Sequence, residues 1–259
     1  MKSFKIGSLL LGVILLVSGC SLSAGERIMK ASEKTDEVDS CRTNIKMDIE
    51  MDVEGETFVT KVDSNGEFDN KNGTAYMYTK MNMLDITAFL DMYISMNDDI
   101  ETYYTKVNGA GDWLKESEPV EELDDQNDAV SEIIDTVTDN VKLEEKETEN
   151  GITHYVITLD KESTKEILLA FNELLDSEVV DDNYKITGDL AIDIYINEDN
   201  YITSLVMDLS NAITYTDPET NIEVKVNKFK MQLDFYDFNN VGTITIPQHI
   251  IDSAVEIEE

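Results

Sequence analysis

The sequence has few cationic residues, few prolines and few cysteines. Its 259 residues include 20 Lys and Arg against 55 Asp and Glu, which gives a formal net charge of −35. Because no run of Lys or Arg offsets this charge, the sequence argues against a nucleic-acid-binding protein. Three prolines and 12 glycines exclude collagen-like and Pro-rich low-complexity chains. With 41% hydrophobic residues, however, the chain is apolar enough to form a core rather than remain disordered.

The N-terminus has the pattern of an export signal. Lys2 and Lys5 precede the apolar stretch 6–17, which is shorter than the ~20 residues that a membrane-spanning helix needs. The stretch ends in Val-Ser-Gly followed by Cys20, which resembles the lipobox of bacterial lipoproteins. That resemblance implies acylation of Cys20 and cleavage before it. The alternative is an ordinary secretory signal that is cleaved near Ala24.

We therefore expect a signal peptide at residues 1–19, a lipid-anchored tether at 20–25 and a single domain at 26–259. We expect the mature protein to lie on the extracytoplasmic face of a Gram-positive cell membrane and to contact the membrane through its acylated N-terminus. Only Cys41 would then remain as a free thiol, so the domain has no intramolecular disulfide. We expect Cys41 to be a buried, unreactive residue at a helix-to-strand junction.

Hydrophobic and polar residues alternate over several long segments, which is typical of strands with one dry and one wet face. The predicted strands cover residues 45–53, 57–62, 73–83, 88–96, 100–107, 152–159, 185–196, 201–213 and 222–235. In the last of them the alternation shifts by one residue near Asn227 and Lys228, which predicts a β-bulge that bends the sheet. Because the connections are short, the sheet must be mostly antiparallel.

Three segments have the apolar spacing of amphipathic helices, at residues 28–38, 130–141 and 167–175. Asp160 or Ser163 is available to cap the third. Helices with one apolar stripe cover one side of a sheet, so the fold class is α+β.

The order of these elements resembles the LolA-like superfamily over residues 24–250. The similarity is strongest to Gram-positive cell-envelope lipoproteins without an assigned function, and it extends to the mycobacterial lipid-carrier lipoproteins. It rests on the opening helix at 26–32, Tyr76-Met77-Tyr78, Met92-Tyr93-Ile94, Trp113-Leu114-Lys115 and the closing segment from Tyr236 to Pro247. The resemblance implies a strongly curved half-barrel of about 9–11 strands, with amphipathic helices over its concave face and acyl chains held between them.

The sequence offers little for catalysis. A nucleophilic triad needs a histidine base, and His154 and His249 lie far from any Gly-framed serine. Two scattered histidines and one cysteine lack zinc-ligand spacing. The acids at positions 63–69 lack the glycine and final glutamate of an EF-hand loop, and we interpret them as a hairpin turn. We therefore predict no enzyme, no metal and no cofactor.

Methionines on the dry side of the predicted strands indicate an adaptable apolar surface, because methionine is flexible and polarizable. The candidate ligand-cleft residues are Met47, Met51, Met77, Met81, Met83, Met92, Met96, Leu205, Met207 and Met231. We predict that the protein binds a lipid or other amphiphile in a cleft between sheet and helices. The alternative is a non-catalytic sensor or protein-interaction module with a collapsed cavity and an envelope protein as its partner.

Overall fold

The computed structural model describes residues 22–84, 86–97, 100–119, 142–165, 184–217, 220 and 222–257. Two helices are complete in this part of the chain, α1 (Leu22–Asp36) and α2 (Gln248–Ser253). The first strands are β1 (Ser40–Val53), β2 (Glu56–Asp69), β3 (Thr74–Met83), β4 (Ile86–Asn97), β5 (Ile100–Val107), β6 (Leu114–Pro119) and β7 (Lys142–Glu149). The others are β8 (Ile152–Leu159), β9 (Tyr184–Ile186), β10 (Leu190–Ile196), β11 (Ile202–Asp208), β12 (Ile213–Thr216), β13 (Glu223–Tyr236) and β14 (Val255–Glu256).

All fourteen strands belong to one large, curved, open sheet. Its order is β14-β6-β5-β4-β3-β2-β1-β13-β11-β10-β8-β7, with β12 paired to β13 and β9 paired to β12. Only the β14–β6 pair is parallel among the described strands, which confirms the predicted mostly antiparallel sheet. The strand number exceeds the predicted 9–11 because β6 and β7 are dominated by charged residues and because β9, β12 and β14 are very short.

The helices are only partly described. α1 begins at Leu22, so residues 22–25 of the predicted tether are helical. Residues 161–165 are helical too, and the backbone N–H of Ser163 donates to the Asp160 carboxylate at 2.9 Å, as a helix cap does. The rest of the two predicted inserted helices lies outside the described residues. Their covering of the sheet therefore stays a prediction.

The predicted bulge is confirmed, and it is part of a longer line of breaks. Glu50 pairs with Lys228 but Met51 pairs with Val226, which leaves Asn227 as the extra residue. At the same level, residues 209–212 separate β11 from β12, and residues 187–189 separate β9 from β10. Interruptions aligned across neighbouring strands bend a sheet.

The strand registers assign each strand residue to one of two faces, since directly opposed residues point the same way. We call the side that carries Met47, Met77 and Met231 the methionine face, and its opposite the charged face. On the methionine face of β8, β10, β11 and β13, α1 completes the main core. Its buried members include Ala24, Ile28, Ala31, Tyr155, Ile157, Leu190, Ile194, Ile202 and Leu233.

The C-terminal segment covers part of the charged face. Ile246 and Ile250 are buried there with Tyr104, and Tyr93 and Trp113 pack against them. The segment is also held by hydrogen bonds. The backbone N–H of Ile244 donates to the Asp69 carboxylate at 3.3 Å, and Val255 donates to the Trp113 carbonyl at 2.8 Å.

Gly73 is required at the turn between β2 and β3. Its φ is +63°, and a Cβ added there would lie 2.8 Å from the Met96 carbonyl oxygen. We expect Gly73→Ala to lower the free energy of unfolding by about 3 kcal/mol, because left-handed strain and a backbone clash add together. Gly109→Ala is the matched control, since Gly109 has φ +60° but no atom within 4 Å of an added Cβ. Urea unfolding should show a loss of only about 1 kcal/mol for the control; equal losses would contradict the steric argument.

Candidate functional site

All ten predicted ligand-cleft residues lie on the methionine face. One row of directly opposed residues crosses six adjacent strands and is apolar throughout. It consists of Met207, Met231, Met47, Val62, Met81 and Ala88. Beside this row, Met77 on β3 is directly opposed to Met92 on β4. The apolar character of this face therefore continues well beyond the core beneath α1.

These ten residues are not equally accessible. Leu205 is buried in the main core, and Met51, Met207 and Met231 pack against it. Met77, Met92 and Met96 pack around a smaller cluster formed by Ala75 and Ile94. Met81 and Met83, by contrast, are 41% and 47% exposed. The described residues thus form an apolar surface that is buried at β11 and β13 and open at β3, rather than one enclosed cleft.

The two faces differ sharply in charge. Every lysine and arginine that the strand registers place lies on the charged face: Arg42, Lys46, Lys61, Lys80, Lys106, Lys115, Lys142, Lys185, Lys225, Lys228 and Lys230. On the methionine face, the strands instead contribute glutamates: Glu101, Glu116 and Glu118 lie together at β5 and β6, whereas Glu56 on β2 and Glu145 on β7 lie apart from them. Tyr103 lies between these glutamates and the apolar cluster, and its burial, followed by the charge of Glu101, raises its pKa.

The charged face is stabilised by cross-strand polar contacts. Arg42 donates to Glu67 at 2.8 Å and to Asp237 at 2.6 Å, and Lys228 donates to Asp48 at 2.8 Å. The hydrogen bond from Lys228 lowers the pKa of Asp48. These side chains are substantially solvated, so each pair contributes little to stability.

His154 also lies on the charged face. Its Nε2 is 2.6 Å from Asp193 Oδ1, and its ring stacks on Tyr195 with the centroids 4.5 Å apart. Nearby, a shallow hollow of about 390 Å³ is lined in part by Asp193, Tyr195 and Ser204. Ser204 Oγ donates to Asp234 at 2.7 Å, so its hydroxyl proton is directed to a carboxylate and not to an imidazole base.

Three further residues or groups can be placed. Cys41 is the second residue of β1, fully buried after the α1–β1 junction, and burial raises the pKa of its thiol to about 12. His249 is exposed on α2. The acids at 63–69 lie along strand β2, so their interpretation as a hairpin turn is wrong. Among the described residues, no group of three or more His, Cys, Asp or Glu could hold a metal ion.

Sequence reasoning missed the charge segregation because it depends on register. The alternation of lysine with methionine is visible within β3, where Lys80 lies between Thr79 and Met81. Only the pairing of β1 with β13, however, places Lys228 and Lys230 on the same side as Lys46.

Among the described residues, no helix is both long and apolar enough to cross a membrane.

Comparison with known proteins gives a family but no activity. No curated protein matches the sequence. The chain is similar to the crystal structure of a beta-barrel-like protein of the domain of unknown function DUF1849 from Brucella abortus, with 9% identity, a TM-score of 0.26 and coverage of 76% of this chain and 98% of that one. It is also similar to a DUF1329 family protein from Desulfovibrio piger, with 10% identity, a TM-score of 0.21 and coverage of 88% and 90%.

The family model that matches is not that of LolA, so the resemblance to LolA and the mycobacterial lipid carriers stays a prediction. The match covers residues 23–255, which include all the strands except the last residue of β14. The chain belongs to the family of unknown function DUF6612.

Proposed function

We propose that this protein is a lipid-anchored, extracytoplasmic binding protein that holds a lipid or other amphiphile on its methionine face. The observation that carries the proposal is the apolar row across six strands, in which the side chain of Met81 is half-exposed. An apolar surface that opens to solvent, as this one does at β3, is a feature of interaction sites. The proposal includes no catalytic step and no cofactor.

The dimensions of the methionine face suit an acyl chain. Six strands at ~4.8 Å spacing give the row a width of about 24 Å. Methionine side chains can repack around chains of different length and shape. Covering ten methylenes at ~0.8 kcal/mol each gives about 8 kcal/mol before the cost of association is subtracted. A chain of this length therefore supplies a measurable hydrophobic contribution to binding.

Met81 and Val59 provide a matched test of this surface. They are 41% and 39% exposed and lie on neighbouring strands, but Met81 is on the methionine face and Val59 on the charged face. We expect Met81→Glu to weaken binding of an uncharged fluorescent acyl-chain probe about tenfold or more, because a carboxylate must be desolvated beneath the chain. Val59→Glu adds the same charge to the opposite face and should leave the affinity within about twofold.

The measurement is a fluorescence titration of the Cys20→Ser chain, which cannot be acylated at that position. Binding that Met81→Glu and Val59→Glu weaken equally would place the ligand elsewhere. Absence of binding would overturn the proposal and favour the alternative, a sensor or protein-interaction module of the cell envelope.

The proposed anchor at Cys20 has an independent test. Growth with a palmitate analogue should label the wild-type protein and not the Cys20→Ser variant, and the wild type should fractionate with membranes. Equal labelling of the two forms would exclude acylation at Cys20. Release of both forms into the medium would favour the ordinary secretory signal.

A further inference from the structure

We infer that the methionine face selects amphiphiles with a cationic, amine-type head group and disfavours anionic ones. This inference rests on the proposed function, and charge complementarity between the face and its ligand carries it. Along the strand ladders, lysines and arginines lie on the charged face, whereas Glu101, Glu116 and Glu118 lie on the methionine face. An anionic head group at this end of the apolar surface would meet carboxylates without a strand-borne cation beside them.

The three glutamates border the apolar surface directly. Glu101 is opposite Met96, and Glu116 is opposite Tyr103, whose ring packs against the cluster of Ala75 and Ile94. An acyl chain lying over Met92 and Met96 would therefore place its head group above the Tyr103 ring and these carboxylates. An ammonium group is attracted both by carboxylates and by an aromatic face.

The arrangement also breaks a local rule of sheet stability. Glu101 and Glu118 are directly opposed across β5 and β6, and like charges in that position are destabilising. Tyr103 is the next residue of β5 on the same face as Glu101. Burial and the charge of Glu101 raise the pKa of Tyr103, so its hydroxyl stays neutral. The Tyr103 hydroxyl hydrogen-bonds to Glu101, but this neutral contact leaves the repulsion between Glu101 and Glu118 in place. Such a local conflict is typical of functional surfaces, and a bound cation would relieve it.

The experiment compares three amphiphiles with the same chain and different head groups: dodecyltrimethylammonium, dodecyl maltoside and dodecanoate. Each is titrated calorimetrically into the Cys20→Ser chain below its critical micelle concentration. We expect the ammonium compound to bind about tenfold more tightly than the maltoside, from one cation–π contact and two partly exposed ion pairs. Dodecanoate should bind more weakly than the maltoside.

The overall negative charge would attract any cation, so two double variants separate position from net charge. Glu101→Gln with Glu116→Gln should reduce the ammonium preference to about twofold or less. Glu149→Gln with Glu223→Gln removes the same charge from exposed positions on the charged face and should leave the preference within about twofold of the parent value. A single Glu118→Gln variant should raise the urea midpoint slightly, because it removes the opposed like charge.

The outcomes distinguish this inference from the proposed function. If the maltoside binds and Met81→Glu abolishes its binding, but the head group makes no difference, the head-group inference is overturned and the proposed function stands. Equal effects of the two double variants would likewise overturn it. If none of the three amphiphiles binds, the proposed function fails, and the inference fails with it.

Discussion

A chain that ends at Thr243 should be partly unfolded at room temperature. The truncation removes Ile244, Ile246 and Ile250, which are at most 9% exposed, and it uncovers Tyr104. At about 2 kcal/mol for each buried isoleucine, the direct loss is about 6 kcal/mol. That figure is comparable with the whole free energy of unfolding of many domains, which is about 5–15 kcal/mol. The C-terminal segment is therefore expected to be necessary for a stable sheet at β3 to β6.

Trp113 makes this expectation easy to measure, because it is the only tryptophan and lies in the affected cluster. Its emission should shift to longer wavelength in the truncated chain, and the urea midpoint should fall steeply. A chain that ends at Ala254 is the control, since it keeps Ile250 and loses only residues 255–259, which include the exposed β14. The control should lose about 1 kcal/mol or less. A chain ending at Thr243 with the midpoint of the full chain would show that the C-terminal segment contributes little.

Much of the sheet was predictable because alternation is a local property. The sequence of β10, with Ile192, Ile194 and Ile196 separated by Asp193 and Tyr195, specifies one dry face without knowledge of its neighbours. The shift near Asn227 likewise specified the bulge. β7 could not be found in this way, because its sequence is almost entirely charged and it is defined by pairing with β8. β6 was missed because half of its six residues are charged and because it is likewise defined by pairing, with β5.

The candidate site was predictable in composition but not in arrangement. Methionine at alternate positions indicated the dry faces, and all ten residues do lie on one face of the sheet. What joins them into a continuous surface is the pairing of β1 with β13, in which Met47 meets Met231 from nearly the opposite end of the chain. The opposition of Glu101 and Glu118 is equally invisible without the β5–β6 register. Such long-range pairings depend on the whole sheet and not on local propensity.

Native Cys41 should react with iodoacetamide at least about a thousand times more slowly than the same residue in urea-unfolded protein at pH 8. Only the thiolate is nucleophilic, and an unperturbed cysteine with a pKa near 8.5 is about one quarter ionised at pH 8. Burial raises the pKa of Cys41 to about 12, which leaves a thiolate fraction of about one in ten thousand. Steric protection slows the reaction further, because the side chain is fully buried.

The raised pKa of Cys41 also predicts how the stability of the protein changes with pH. A group whose pKa is raised on folding stabilises the native state fully below its unfolded pKa, and this contribution is lost as pH rises toward the folded value. The free energy of unfolding should therefore fall progressively from about pH 9 to pH 12, as the contribution of Cys41 is lost. In the Cys20→Ser chain, where Cys41 is the only thiol, alkylation followed by mass spectrometry measures its rate directly. Cys41→Ala should abolish labelling and reduce the loss of stability over this pH range. Rapid labelling of the native protein at pH 8 would contradict this expectation. It would show that β1 opens readily and exposes Cys41 to the reagent.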